Sequence, residues 1–513
     1  MRRARADRRE GAESAVVVVT ERRTPVESGG RSAPHDGDVS SHPRRERRRA
    51  ERSAVRTRRL AAGVSALAVL FCIVVVGWLN GGPRWYAVVA LLLVLVKTSL
   101  HWKGQDALPA SVAERRATDH LNLAVAVPCY NEDPVLLART LRSMLAQSRR
   151  PQSVTVVDDG SADRRAIEQA GEWEPAFSQA GIVLTIITFP ENRGKRHGLV
   201  AALEAHPEAD VLLGVDSDSV LQSTAIAEGL GGLADPRVMV STGMVLPSNH
   251  DVNLLTRMQD VRYASAFLFE RAAFSSVGAV LCACGTIAFY RASMMRKYQD
   301  DFLHQRFFGK PATLGDDRRM TNYALLEGRS VLRTRSIAFT AVPEKLGHLA
   351  RQQVRWHRSY FRESLWALRH QPLRRPAFWL TLVDLSVWFL FAAVLVAVVF
   401  VHPLSAIPGL VGFYLAYMIA LGYARAVRYF EVTSLRPHRR DVLIAFAVTP
   451  LYTVLHLALF FWLRPYALLT LGSSGWGTRK KVEVRADGAR PAPARSARVV
   501  TSTPFPLLGE VGR

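Results

Sequence analysis

The chain has 513 residues, 67 of them basic and 44 acidic, for a net charge of +23. That is too long for one small domain, and 49% hydrophobic against 22% charged residues excludes a disordered polycation, which needs low hydrophobicity. Four cysteines (Cys72, Cys129, Cys282, Cys284) argue against a disulfide framework, and no pair stands at zinc-ligand spacing from a second pair.

Residues 1–59 hold 17 Arg against 9 acidic residues, mixed with Gly, Ser and Pro, and read as a disordered basic tail. Its first apolar run comes too late for a secretory signal. Arg clusters such as Arg47-Arg48-Arg49 fit a positive-inside topology signal, and basicity without interleaved aromatics argues against nucleic acid as a partner. Residues 60–102 carry two apolar runs of spanning length, Leu60–Leu79 and Trp85–Leu100, joined by a Gly81-Gly82-Pro83 turn. A cytoplasmic N-terminus and two crossings return the chain to the cytoplasm.

Residues 103–343 read as a soluble domain. Ala124–Val127, Val154–Val157, Leu184–Ile187 and Val211–Val215 are short apolar runs separated by helical stretches such as Val135–Gln147 and Ala162–Glu172. Continuous apolar strands alternating with helices predict a parallel sheet covered on both faces, with ligands at the carboxyl ends of its strands. Residues 344–375 are amphipathic, with Leu346, Trp356, Phe361 and Leu365 among Arg351, Arg355, Arg358 and Arg362, a pattern suited to a membrane interface.

Residues 376–471 return to apolar runs. Phe378–Val401 and Ile407–Ala424 are expected to span, and Asp384 lies inside the first as a pore-lining or helix-pairing candidate. Arg425–Arg440 reads as a basic cytoplasmic loop. Val442–Leu471 is long for one span and interrupted by Pro450 and Pro465, so a broken pair of crossings or a re-entrant segment is expected, with the tail of residues 472–513 on the cytoplasmic side. The whole reads as an α/β cytosolic domain with a Rossmann-like parallel core, inserted in a helical transmembrane bundle of the plasma membrane and in contact with its lipid.

Four acidic signatures fall at predicted strand ends or near the end of the soluble domain. Tyr130-Asn131-Glu132 follows the first strand and Asp158-Asp159-Gly160-Ser161 the second; their loop carboxylates suit hydrogen bonds to uracil and ribose. Asp216-Ser217-Asp218 is a D-x-D, where two carboxylates allow one hard cation, Mg2+ or Mn2+, to be bridged to a diphosphate. Between these lies Asn192-Arg193-Gly194-Lys195-Arg196-His197-Gly198, a basic turn suited to a diphosphate. Asp316-Asp317 comes last. Inversion at an anomeric centre needs a general base, assigned to Asp317 with Asp316 in reserve, and Asp316 is also placed to cap the helix Arg318–Leu326. Gln352, Gln353, Arg355 and Trp356 lie on the amphipathic helix, where an indole stacks on a pyranose and the polar groups bind hydroxyls. Cys282 and Cys284 are a C-x-C pair without supporting ligands, read as small residues lining a substrate pocket.

In order, VPCYNED, DDGS, NRGKRHG, DSDS, GDDR and QQVRW resemble the processive family 2 glycosyltransferases of GT-A fold, which include cellulose, chitin and hyaluronan synthases. Gly315–Leu325, Gln352–Ser364 and Gly475–Lys481 are most similar to hyaluronan synthases, and the resemblance runs from about residue 60 to residue 481. It implies that Tyr130, Asn131, Glu132, Asp158 and Asp159 hold the uridine, that Lys195, Arg196 and Asp216 lie at the nucleotide sugar, and that Asp218 with Asp216 meets the metal. It further implies Asp317 as base, with Gln353, Arg355 and Trp356 at the acceptor. Trp476, Gly477, Thr478 and Arg479 would form a gating loop. The implied partners are UDP-GlcNAc, UDP-GlcA and the growing polysaccharide. Cys282-Ala283-Cys284-Gly285-Thr286 departs from the C-x-S-G-P usual in hyaluronan synthases, which leaves open a chitin-like or other β-glycan product. A single transfer to a lipid acceptor is a further alternative, disfavoured by the Q-Q-x-R-W helix.

Overall fold

The computed structural model of the chain describes residues 16–18, 108–400 and 407–473. The two N-terminal spans expected within residues 60–102 and the loop Trp476–Arg479 lie outside the described residues. The tail expected to be disordered contributes one short strand, β1 (Val16–Val18), paired antiparallel to β4 (Val183–Thr188), where its three valines suit an extended edge.

β2 (Leu123–Cys129), β3 (Ser153–Asp158), β4 and β5 (Val211–Val215) form the parallel part of the sheet, in the order β4-β3-β2-β5. The apolar runs of the sequence mark all four. Alternate residues point to opposite faces: Val125, Val127, Val154, Val156 and Leu213 join one core cluster, and Ala124, Ala126, Val157 and Leu212 the other. Both faces are therefore covered. The rest of the sheet is mixed rather than parallel. β8 (Ile287–Arg291) runs antiparallel between β5 and β7 (Val238–Pro247), β11 (Arg329–Thr340) pairs parallel with β7, and β6 (Val220–Leu221) pairs antiparallel with β11. A small hairpin, β9 (Arg306–Phe307) and β10 (Lys310–Pro311), stands apart.

The amphipathic stretch is one helix, Leu346–His370, and apolar helices follow at Pro376–Phe400 and Ile407–Ala426. Among the described residues one helical run, Arg439–Leu469, is long and apolar enough to cross a membrane, with a shorter apolar helix at Pro376–Leu390. Within Val442–Leu471, where a break is expected, this run is interrupted at Val448, between the helical segments Arg439–Ala447 and Thr449–Leu455. Pro450 falls in the first turn of the segment Thr449–Leu455, where a missing N–H costs nothing, and a π-helical turn follows at His456–Phe460. The start of the run touches the soluble body through Asp441 and Arg257 at 3.3 Å, and Leu471, two residues past its end, accepts from Arg362.

Residues 425–440 are no solvated loop. Val427–Leu435 is 3-10 helical, and Tyr429 and Val432 enter the same core cluster as the sheet. Asp260, fully buried, accepts a hydrogen bond from Tyr429 Oη at 2.6 Å and pairs with Arg436, whose guanidinium also donates to Pro247 O at 3.1 Å. Arg428 is buried as well and donates to Leu268 O at 2.5 Å. A carboxylate buried beside an apolar core needs such partners, so two of the arginines that read as surface charge are interior. Removing one partner strands the other: Arg436→Gln is expected to cost about 3 kcal/mol. The check is the thermal midpoint of the purified chain; an unchanged midpoint would mean that residues 427–445 are not part of the core.

Candidate active site

The motifs gather at the carboxyl edge of the parallel strands. Cys129 ends β2, Asp158 ends β3 and Val215 ends β5, so Tyr130–Glu132, Asp158–Ser161 and Asp216–Asp218 emerge side by side. Three of these side chains tie loops together. Asn131 Oδ1 accepts from the N–H groups of Ala162 and Asp163 at 2.9 and 3.2 Å, and its backbone takes the left-handed region at φ 46°. Glu132 accepts from Ser217 Oγ at 2.6 Å. Asp159 accepts from the N–H groups of Arg193 and Gly194 at 2.7 and 2.9 Å, fixing the basic turn against the second strand end. Burial pushes the Asp159 carboxyl up to about 6, with the two N–H donors pulling the other way.

Asp158 differs. It is fully buried; one carboxylate oxygen accepts from Ser161 N–H at 3.0 Å and the other, Oδ2, has no partner among the described residues. A buried acceptor of that kind fits a donor brought by a ligand, such as an imide N–H of a pyrimidine base.

Lys195 and Arg196 open the helix Lys195–Glu204, with Gly194 before them at φ 91°. Adjacent helical residues point about 100° apart, and this pair divides accordingly. Lys195 Nζ donates to Asp216 Oδ1 at 2.5 Å, and its carboxylate neighbours Asp216, Asp317 and Asp316 hold its pKa above the usual lysine range. Arg196, expected at the nucleotide, instead turns inward and is 5% exposed; it pairs with Asp316 and donates to Phe302 O and Leu314 O, each at 3.3 Å. The helix Asp316–Glu327 begins after Gly315, whose φ of 98° makes it the N-cap, so Asp316 is the first helical residue and not the cap. Asp316, 7% exposed, is held by Arg196.

Asp317 is half-buried and turned toward the site. Burial pushes its carboxyl up; Lys195 opposes this, and Asp216 and Asp316 add to it. Its oxygens lie against Gly285, where a Cβ would come within 2.1 Å of Asp317 Oδ1. Thr286, the next residue, donates to Asp216 Oδ2 at 2.8 Å, so both oxygens of Asp216 are engaged. Asp218 Oδ1 accepts from Ser219 Oγ at 3.2 Å and Thr340 Oγ1 at 3.3 Å. Among the described residues no group of three or more His, Cys, Asp or Glu is arranged to hold a metal.

On the other side stand the residues expected at an acceptor. Trp356 is 42% exposed, with its ring 6.3 Å from that of Tyr263. Gln352 Oε1 is buried without a partner among the described residues. Gln353 and Arg355 are half-buried on the same helix. Arg271 Nε donates to Cys282 O at 3.0 Å, and burial, with Asp317 adding, pushes the Cys284 thiol up to about 11. Burial, with Cys284, Tyr452 and Asp218 adding, pushes the Tyr263 phenol up. Sequence reasoning missed Tyr263, which lies in no motif, and Thr286 and Gly285, which stood in a quoted motif without a role.

A family model described as "Glycosyltransferase like family 2" matches residues 120–359. A hyaluronan synthase of Streptococcus pyogenes is 34% identical over 370 residues, 71% of this chain and 84% of its own length. The chain belongs to the family 2 glycosyltransferases. An N-acetylglucosaminyltransferase of Rhizobium sp. is 36% identical over 368 residues, covering 69% of this glycosyltransferase and 76% of the relative. Among solved structures, a mannosyltransferase from Pyrobaculum calidifontis in complex with GDP-Man and Mn2+ overlays 80% of this chain and 99% of its own, at 17% identity and a TM-score of 0.46.

The contact between Gly285 and Asp317 gives a test in this glycosyltransferase. In Gly285→Ala the new methyl group must displace a flexible carboxylate and no backbone, so the fold is expected to hold. A displacement of about 1 Å costs glycosyl transfer about 100-fold. Initial rates and a thermal melt check this; wild-type rates would show that the Asp317 position is immaterial.

Proposed function

We propose that this family 2 glycosyltransferase is a membrane-embedded, processive, inverting enzyme that polymerises UDP-GlcNAc, together with UDP-GlcA, into a hyaluronan-like polysaccharide and secretes it. The observation that carries the reading is the position of Asp317. It lies against Gly285 of the loop Cys282–Thr286, and the same loop meets the Lys195–Asp216 pair through Thr286. In the proposed step the acceptor hydroxyl oxygen attacks the anomeric carbon, its proton passes to Asp317, and the bond to the UDP oxygen breaks on the opposite face. Asp158 receives the base through its unpartnered oxygen, Lys195 places positive charge beside the diphosphate, and Trp356 and Tyr263 offer ring faces to the acceptor sugar. Asp218, with Asp216, fits a hard divalent cation, Mg2+ or Mn2+, that takes one or two carboxylates and completes its shell with phosphate and water. When bound, such a cation neutralises charge on the departing diphosphate.

Processive synthesis is supported by how the acceptor helix is tied down. Leu346–His370 pairs with the helix of Asp317 through Arg319 and Glu363, Nε to Oε2 at 2.7 Å. Tyr360 Oη donates to Asp384 Oδ2 at 2.9 Å, which gives the carboxylate inside the apolar helix Pro376–Phe400 a helix-pairing partner. Arg358 donates to Thr470 Oγ1 at 2.9 Å and Arg362 to Ser473 O at 2.6 Å, so the chain leading to residues 476–479 starts beside the acceptor helix. The apolar helix Arg439–Leu469 supports a plasma-membrane location, in which the catalytic domain is cytoplasmic.

A second reading, a GlcNAc-only polymer, is favoured by the relative named N-acetylglucosaminyltransferase and by the Cys282–Thr286 loop. UDP release by purified protein, supplied with UDP-GlcNAc, UDP-GlcA or both in the presence of Mg2+ or Mn2+, separates the two. The expected result is synergy between the sugars and a hyaluronidase-sensitive polymer, with Asp317→Asn lowering turnover by about 100-fold or more while nucleotide binding persists. Full turnover on UDP-GlcNAc alone would establish the second reading, and an active Asp317→Asn would remove the base.

A further inference from the structure

Away from the active edge, an open crevice of about 330 Å³ lies where the helix Pro376–Phe400 leaves the soluble body. Its floor is apolar, made of Ala279, Leu325 and Ala377, all buried. Its walls are Arg329, Arg374 and Arg375. Arg375 is fixed: its guanidinium donates to Leu326 O at 3.1 Å and Gly328 O at 3.3 Å, at the carboxyl end of the helix that begins with Asp316. Arg374 is exposed and makes no ion pair among the described residues. Two acids stand near the rim, and each already has another cation: Asp235 is gripped by Arg237 at 2.9 Å, with Arg329 at 3.5 Å, and Glu327 by Lys297 at 2.6 Å. The charges of the three wall arginines are therefore in surplus.

The surroundings fix the kind of anion. Leu373 and Trp379, just before and after the lining residues 374–377 in the chain, are 64% and 53% exposed, and Trp379 Nε1 donates to Leu373 O at 2.8 Å, which pins the indole at the foot of the apolar helix. An exposed indole and leucine beside surplus arginines, at the first turn of a long apolar helix, mark a boundary between polar and hydrocarbon surroundings. A soluble anion has no use for the apolar side of this site; an amphiphile uses both. We propose that the crevice binds the headgroup phosphate of an anionic phospholipid, held by Arg329 and Arg374, with an acyl chain along the start of Pro376–Phe400. This rests on the membrane reading above and adds to it a specific lipid site. Because Arg375 caps the helix that carries Asp317, the lipid would seat against the same helix that sets the active site.

The test uses the full chain in mixed micelles of phosphatidylcholine and phosphatidylglycerol, with bound lipid read by native mass spectrometry. Wild type is expected to retain phosphatidylglycerol selectively, and Arg329→Gln with Arg374→Gln to lose about fivefold per arginine removed. Equal retention by the double variant, no preference in wild type, or displacement by millimolar inorganic phosphate would each overturn the lipid site. Flotation with vesicles of pure phosphatidylcholine separates the two ideas: a chain that floats without lipid preference loses only this site, whereas one that does not float loses the membrane reading as well.

Discussion

Two pairs of adjacent residues, each at the first turn of a helix, face one another, and the rest of the site depends on how they divide. Arg196 and Asp316 turn inward and pair where both are buried; Lys195 and Asp317 are left on the open side, one against Asp216 and the other against Gly285. The buried pair acts as a fixed spacer. Its charges are compensated by each other and by the carbonyls of Phe302 and Leu314, so removing either leaves an uncompensated charge in the interior. The site-facing pair inherits its separation from that spacer.

The same helix extends the constraint outward. Two residues after Asp317, Arg319 is gripped by Glu363 of the acceptor helix, and its guanidinium also lies 4.5 Å from the Trp366 ring centroid. Glu363 is itself 2% exposed, and Asn322 donates to its backbone oxygen at 3.1 Å. The helix that presents Trp356 and the helix that presents Asp317 are thus joined by interior polar bonds, as is the Asp260 network that holds residues 427–445 to the sheet. These are geometric locks more than sources of stability, because the desolvation of each charge offsets much of its attraction.

Much of this was legible in the sequence, for physical reasons. The four parallel strands announce themselves as short continuous apolar runs, and the acidic motifs stand at their ends because loops at that edge have to carry the chemistry. What the sequence hid was direction. A dipeptide such as Lys195-Arg196 reads as one basic feature, yet a helix turns its members about 100° apart, so one reaches the site and the other the core. Asp316-Asp317 conceals the same split. The mixed half of the sheet, β7, β8 and β11, was missed because it carries no acidic motif. Arg428 and Arg436 read as surface charge because nothing local reveals Asp260, 176 residues from Arg436 in the chain.

The measurement that bears most directly on this account replaces the spacer while keeping the fold. Arg196→Met combined with Asp316→Leu exchanges a buried ion pair for apolar groups of similar bulk, a change that leaves stability about even in other proteins. Steady-state kinetics on the double variant, with a thermal melt alongside, give the answer. The account predicts an intact fold, a KM for nucleotide sugar close to wild type, and a kcat lower by about tenfold or more as Asp317 loses its fixed position. A fully active, well-folded double variant would contradict it, and would mean that Asp317 is positioned by something other than the Arg196–Asp316 pair.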